Sequence, residues 1–276
     1  MKIFKKICFF IILLFVSCLH LAAQKKHIQS STMNYGENIS YDIYFKWGFM
    51  ARAGDAVFYY DKDNSVDNAT SRYRMSFKTT KLFDGFFKMR DTLSCYYNND
   101  NKIIFSKKAT DEGNYYSVDE LTFDYGEKET NIHSLRYNLS RVRIDTVLTT
   151  TDSEITDLLG AIYYIRGINR NDLQHGDVFP VTVAIGRDLV KIQFIYQNQS
   201  IVERGKVKYN TRYFKIDIFD DAFESTKTSA EVWVGDDDNF FPIKARTKLK
   251  IGYAEIYYKS SSNLAHPLKC RIEIRR

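Results

Sequence analysis

Between residues 37 and 47 apolar and polar side chains take turns. Ile39, Tyr41, Ile43, Phe45 and Trp47 share one face; Asn38, Ser40, Asp42, Tyr44 and Lys46 share the other. A period of two places successive side chains on opposite sides of a pleated strand, so this segment reads as a strand with one buried face. The same alternation runs through 72–78, 87–97, 190–196, 212–219 and 268–274. Noisier versions cover 53–60, 102–109, 115–125, 135–148, 178–185, 200–209, 229–234, 242–250 and 253–259. Strands at this spacing predict a mostly β fold, a large antiparallel curved sheet of half-barrel or barrel-like form. The 20 Tyr and 20 Phe suit half-buried pleated surfaces. Turn-forming clusters such as 98–101 and 235–239 separate the runs.

One stretch departs from the period. Thr151-Asp152-Ser153-Glu154 has the form of a capping box, and Ile155, Leu158, Leu159 and Ile162 follow at helical spacing up to Gly167. This predicts one central helix over about 152–166, with Leu158, Leu159 and Ile162 packed on the sheet.

The N-terminus carries a different signal. Lys2, Lys5 and Lys6 precede an unbroken apolar run from Ile7 to Val16, and Ala22-Ala23 follows. That is the layout of a secretory signal peptide, with an apolar run too short to span a bilayer. Residues 1–23 are therefore expected to be a signal peptide, 24–34 a flexible arm, and 35–276 a single β-rich domain. Two processing routes remain open: cleavage after Ala23, or lipidation at Cys18 in a Phe15-Val16-Ser17-Cys18 box. Membrane attachment is expected only by the second route. The protein is expected to be exported, to the periplasm or in association with the outer membrane, or secreted.

Composition narrows the chemistry. The formal charge of +6 falls to +3 without the three leader lysines, and both signs interleave along the rest, so no nucleic-acid partner is expected. Beyond the leader only Cys95 and Cys270 remain. Both fall on apolar strand faces, where they are either disulfide-bonded to one another or two buried thiols. No nucleophile elbow, phosphate loop or zinc-ligand spacing occurs, so no metal, no cofactor and no enzymatic activity are expected. The acidic turns at Asp61-Asp63-Asp67 and Asp236-Asp237-Asp238 are read as solvated turns; the first has Val66 and Arg72 where a calcium loop needs Gly and Glu.

Several segments together are similar to a known family. Tyr35-Gly36-Glu37-x-Ile39-x-Tyr41, Trp47-Gly48 and Ala53-Gly54-Asp55-Ala56 come first. Residues 157–166, Gly176-Asp177-Val178-Phe179, Val232-Trp233-Val234 and Asp238-Asn239-Phe240-Phe241-Pro242-Ile243 follow in order. This set resembles the domain of unknown function 3108 family over nearly all of 35–276. The resemblance implies an exported, mostly β envelope protein and supplies no catalytic residues.

The expected function is a non-enzymatic binding or carrier module for an apolar or lipid-like small molecule. Trp47, Phe58, Phe77, Phe194 and Trp233 are the candidate cavity lining. The alternatives are a structural or assembly protein that engages an envelope protein partner, and an outer-membrane barrel.

Overall fold

The computed structural model describes residues 32–219, 230–249 and 252–273. Two halves, antiparallel apart from one short parallel pairing, build one 16-stranded sheet. The first comprises β1 (Glu37–Trp47), β2 (Phe49–Lys62), β3 (Ser71–Thr79), β4 (Arg90–Tyr97), β5 (Ile103–Glu112), β6 (Tyr115–Tyr125), β7 (Thr130–Tyr137) and β8 (Val142–Thr150). The second comprises β9 (Ile155–Thr156), β10 (Val178–Ile185), β11 (Asp188–Arg204), β12 (Val207–Phe219), β13 (Ala230–Gly235), β14 (Pro242–Lys248) and β15 (Tyr253–Ser262). Pairing of β1 with β15 fuses them, and β8 and β9 become the two edges. A short β16 (Arg271–Glu273) pairs with β12 off this path.

The sheet curls but does not close. Register shifts at Ser40/Tyr41 and Ile43/Tyr44 in β1, and at Tyr196/Asn198 in β11, mark bulges, which bend strands locally. The two ends approach through side chains: Ser134 Oγ of β7 donates to the carbonyl of Gly186, in the β10–β11 turn, at 2.5 Å.

The expected strands are present, with four differences, one being that of the run 268–274 only Arg271–Glu273 is strand among the described residues. The run 135–148 is two strands, β7 and β8, turned at Asn138, whose side chain accepts from the Ser140 and Arg141 amides. The runs 190–196 and 200–209 are parts of a single long β11 and its hairpin to β12, turned at Gly205 with φ +61°. The start of the 87–97 run belongs to a connection containing a four-residue helix, α1 (Lys81–Asp84), capped by Thr80.

The central helix is shorter than its spacing suggests. Residues 151–154 form no capping box. Ile155 and Thr156 instead pair in parallel with Thr182 and Val183 of β10, and Thr182 Oγ1 donates to Asp152 at 2.6 Å. The edge of β10 thus takes up backbone groups that the local pattern assigns to a helical turn, the Thr182 amide donating to the Glu154 carbonyl at 2.8 Å. The helix α2 (Leu158–Tyr164) then starts from Asp157, whose Oδ1 accepts the Gly160 amide at 2.7 Å, and tightens into a 3₁₀ turn over Ile165–Gly167.

α2 lies inside the curl, and the apolar strand faces converge on it. Leu159 and Tyr163 pack with Tyr73, Leu93 and Ile132 of the first half; Ala161 and Tyr164 pack with Val181, Phe194 and Phe214 of the second. Tyr163 stacks on Tyr73 with ring centres 3.9 Å apart. Gly160 makes this fit possible, since a Cβ there would lie 1.8 Å from Thr156 Oγ1 and 2.4 Å from the Tyr97 hydroxyl.

Of the arm expected at 24–34, residues 24–31 lie outside the described residues, as do the expected signal peptide and Cys18. Thr32 and Met33 are buried, so the chain is already anchored there.

Candidate functional site

Between α2 and the strands β11–β15 the interior does not fill. An apolar groove of about 250 Å³ remains, lined by Tyr41, Phe58, Phe194, Ile216, Val232 and Phe241. Leu158 and Ile162 of α2 line its mouth. Both are exposed, although their spacing predicts contact with the sheet. The helix buries Leu159, Ala161, Tyr163 and Tyr164 instead, because the 3.6-residue period divides it between core and groove.

The polar groups beside the groove are satisfied within the protein. The Tyr41 hydroxyl donates to the Pro242 carbonyl at 3.0 Å, and the Tyr163 hydroxyl to the Tyr59 carbonyl at 3.2 Å. Burial raises the pKa of both tyrosines well above the ordinary phenol value. They therefore contribute apolar ring surface and no free donor.

Arg166 also borders the groove, from the 3₁₀ turn after α2. Its guanidinium pairs with both oxygens of Glu37, at the start of β1. It also donates to the carbonyls of Thr32 at 2.8 Å and Asn239 at 3.2 Å. Burial alone would lower the Arg166 pKa; the hydrogen bonds and charge of Glu37 outweigh it and raise it. Arg166 is thus the hub joining the N-terminal segment, β1, α2 and the β13–β14 turn.

On the far side of α2 sits a small buried polar cluster. Asp157 holds the helix N-terminus and is pushed up to about 6 by burial. The Gly160 amide and the Cys95 and Ser106 side chains partly offset that rise. Burial and the neighbouring Asp157 charge push the Cys95 thiol up. A thiol in that state is protonated and inert.

Among the candidate lining residues, Phe58 and Phe194 are on the groove wall. Phe77 packs inside the sheet near Ile39 and Phe241 but does not border the groove. Trp233 points to the other face of β13 from Val232, stacks on Tyr213 at 4.9 Å and carries Lys244 Nζ 4.8 Å above its ring. Trp47 ends β1, and its side chain lies outside the described residues. Cys95 and Cys270 are free buried thiols in separate apolar clusters. The acidic turns are occupied by ion pairs, Arg72 with Asp63 at 2.9 Å and Arg212 with Asp236 at 3.0 Å. Leu158, Ile162, Phe241 and Arg166 were not legible as groove residues, since nothing in their local pattern separates core from cavity wall.

The model of the family described as "Protein of unknown function (DUF3108)" matches residues 40–259. No curated protein matches the chain. Among solved structures, the chain is similar to the β-barrel-like protein of domain of unknown function DUF1849 from Brucella abortus. The TM-score is 0.56 at 9% identity, over 83% of this chain and 98% of that one. A candidate lipoprotein from Parabacteroides distasonis aligns with a TM-score of 0.33 at 8% identity, over 83% of this chain and 96% of that one.

Proposed function

We propose that this chain, which belongs to the DUF3108 family of proteins of unknown function, is an exported, non-enzymatic module that binds or carries an apolar, lipid-like ligand in the groove beside α2. Export rests on the basic, apolar and small-residue segments of residues 1–23. Binding rests on one observation: Leu158 and Ile162 hold apolar surface open at a groove whose lining, Arg166 apart, is aromatic and aliphatic. Small-molecule sites have this character, a mostly apolar concavity.

Size limits the occupant. Sites for drug-sized ligands run from about 300 Å³ upward, and the groove, at about 250 Å³, falls just short. It suits a slender chain, or part of a longer one whose remainder stays outside. An outer-membrane barrel draws no support, because the apolar faces that would meet lipid are spent on α2 and the outward faces carry pairs such as Arg246–Glu231 and Lys107–Glu120.

The test is titration of the full chain with the apolar fluorophore N-phenyl-1-naphthylamine, followed by displacement with oleate. Saturable binding that Ile162→Glu weakens at least tenfold, with an unchanged circular dichroism spectrum and urea melt, is the expected result. Equal binding by both proteins, or by neither, would overturn the assignment.

A further inference from the structure

In an antiparallel meander the connections alternate between two rims. The β1–β2, β3–β4, β5–β6, β7–β8, β10–β11 and β14–β15 connections all fall on one of them. Most of the exposed large apolar side chains gather there. Phe49 is 74% exposed at the β1–β2 tip, and Leu82 and Phe86, in and just after α1, are 72% and 85% exposed. Tyr115, Leu139 and Ile185 continue the series on the next three tips. A scatter of single apolar residues over a surface needs no explanation; a concentration on one rim does.

The same rim carries more unpaired cations than carboxylates, with Glu112 and Asp188 as acidic residues at its tips. Lys46, Lys81, Lys88, Arg141, Arg143 and Arg187 are exposed on it and form no ion pair among the described residues. The opposite rim holds the acidic turns at 61–67, 124–129 and 236–238. Between the β7–β8 and β10–β11 tips this rim opens into a recess of about 520 Å³, lined by Arg136, Arg143 and Arg187, one exposed carboxylate, Asp188, and the exposed Tyr115 and Ile185, so three cations face one anion. Arg136 is engaged with Asp119, whereas Arg187 spends one donor on the Arg143 carbonyl at 3.3 Å and keeps the rest.

We infer that this rim docks on an anionic phospholipid surface. Phe, Leu and Tyr side chains enter the headgroup boundary while the surrounding Lys and Arg attract the lipid phosphates, and the arginine recess receives a headgroup. Apolar insertion and cationic attraction together are what interfacial membrane binding requires. A protein partner with an acidic, apolar surface is the competing occupant. It accounts less directly for exposed apolar residues on five separate tips of the rim, from Phe49 to Ile185, each with cations nearby. The inference does not depend on the groove being a ligand site.

Vesicle co-sedimentation of the full chain tests it. The probes are phosphatidylcholine vesicles with and without about one-third phosphatidylglycerol, at low and high salt. Wild type, Leu82→Ser/Phe86→Ser, Arg143→Glu/Arg187→Glu and, from the other rim, Ile201→Ser are compared; all share the N-terminal segment, so differences report the rim. The expected result is binding to the anionic vesicles that salt weakens, that each rim pair of substitutions reduces at least tenfold, and that Ile201→Ser leaves intact. Three results would each overturn the inference: equal binding by all four proteins, binding indifferent to lipid charge, or a change of oligomeric state in Leu82→Ser/Phe86→Ser with vesicle binding unaltered.

Discussion

Arg166 and Glu37, 129 positions apart in the sequence, form a two-pronged ion pair in which each side chain is 2% exposed. The pair ties the turn after α2 to the first strand of the sheet, and Arg166 reaches on to the carbonyls of Thr32 and Asn239. Removing one member leaves the other charge buried without a partner, which costs about 3–5 kcal/mol. Arg166→Met and Glu37→Met should each lower stability in urea by that order. The double variant should be more stable than either single one, since two apolar residues leave no orphan charge. A single variant within about 1 kcal/mol of wild type in the same melts, the range of exposed pairs, would show the pair to be solvated.

Asp157 predicts an unusual pH dependence. Its carboxyl is raised from 3.8 to about 6 in the folded protein. Between those values the folded state holds a proton that the unfolded chain has released, so this residue's contribution to stability falls as pH rises from about 4 to 6. The displacement is worth about 3 kcal/mol. Asp157→Asn keeps a good N-cap but does not titrate. Its stability relative to wild type should therefore improve by about that amount between pH 4 and pH 7, measured by urea melts at both. A constant difference would mean that Asp157 is not buried in charged form.

Carboxylates such as Asp42 and Glu231 behave in the opposite sense. Burial alone would raise them, but Arg52 and Lys259 at Asp42, and the Tyr213 hydroxyl and Arg246 at Glu231, outweigh it and hold both below their ordinary values. Their contribution is present above the ordinary carboxylate range and is lost on acidification below it. Arg246→Ala should thus reduce stability at pH 7 and leave it nearly unchanged at pH 2, a comparison that thermal melts can make.

Gly160→Ala should destabilise the protein by about 1–3 kcal/mol, the usual cost of overpacking. The added methyl meets Thr156 Oγ1 at 1.8 Å and the Tyr97 hydroxyl at 2.4 Å. Adding Thr156→Ala should recover part of the loss. Unaltered melting of the single variant would place α2 further from β4.

Cys95 and Cys270 should alkylate slowly. Burial raises both thiols, so the reactive thiolate is scarce in the folded state. Iodoacetamide labelling read by peptide mass spectrometry should show both modified only as fast as the protein opens in denaturant, whatever the reactivity of Cys8 and Cys18. Rapid labelling of either in native buffer would contradict its burial.

Much of this architecture was present in the alternation of side chains. Ile39 and Tyr41, Leu93 and Cys95, and Ile192 and Phe194 point inward as a period of two demands. Strand identity was recoverable because the two-residue period and the aromatic bias are local properties of each segment. The limits of the helix were not. Thr151 to Glu154 satisfies the local rule for a helix start, but a distant strand, β10, competes for the same backbone groups and wins. Likewise Phe77 and Phe58 look alike in sequence, and only the placement of α2 makes Phe58 a groove wall.

By itself, then, the amino-acid order determined the β class, the inward and outward faces of most strands, and membership of a family, since these are written in neighbouring residues. Tertiary structure alone decided where the interior stays open, which charges meet inside it, and that exposed apolar and basic side chains from separate turns share one rim. Each of those depends on residues brought together from far apart along the chain, and no local period encodes such a meeting.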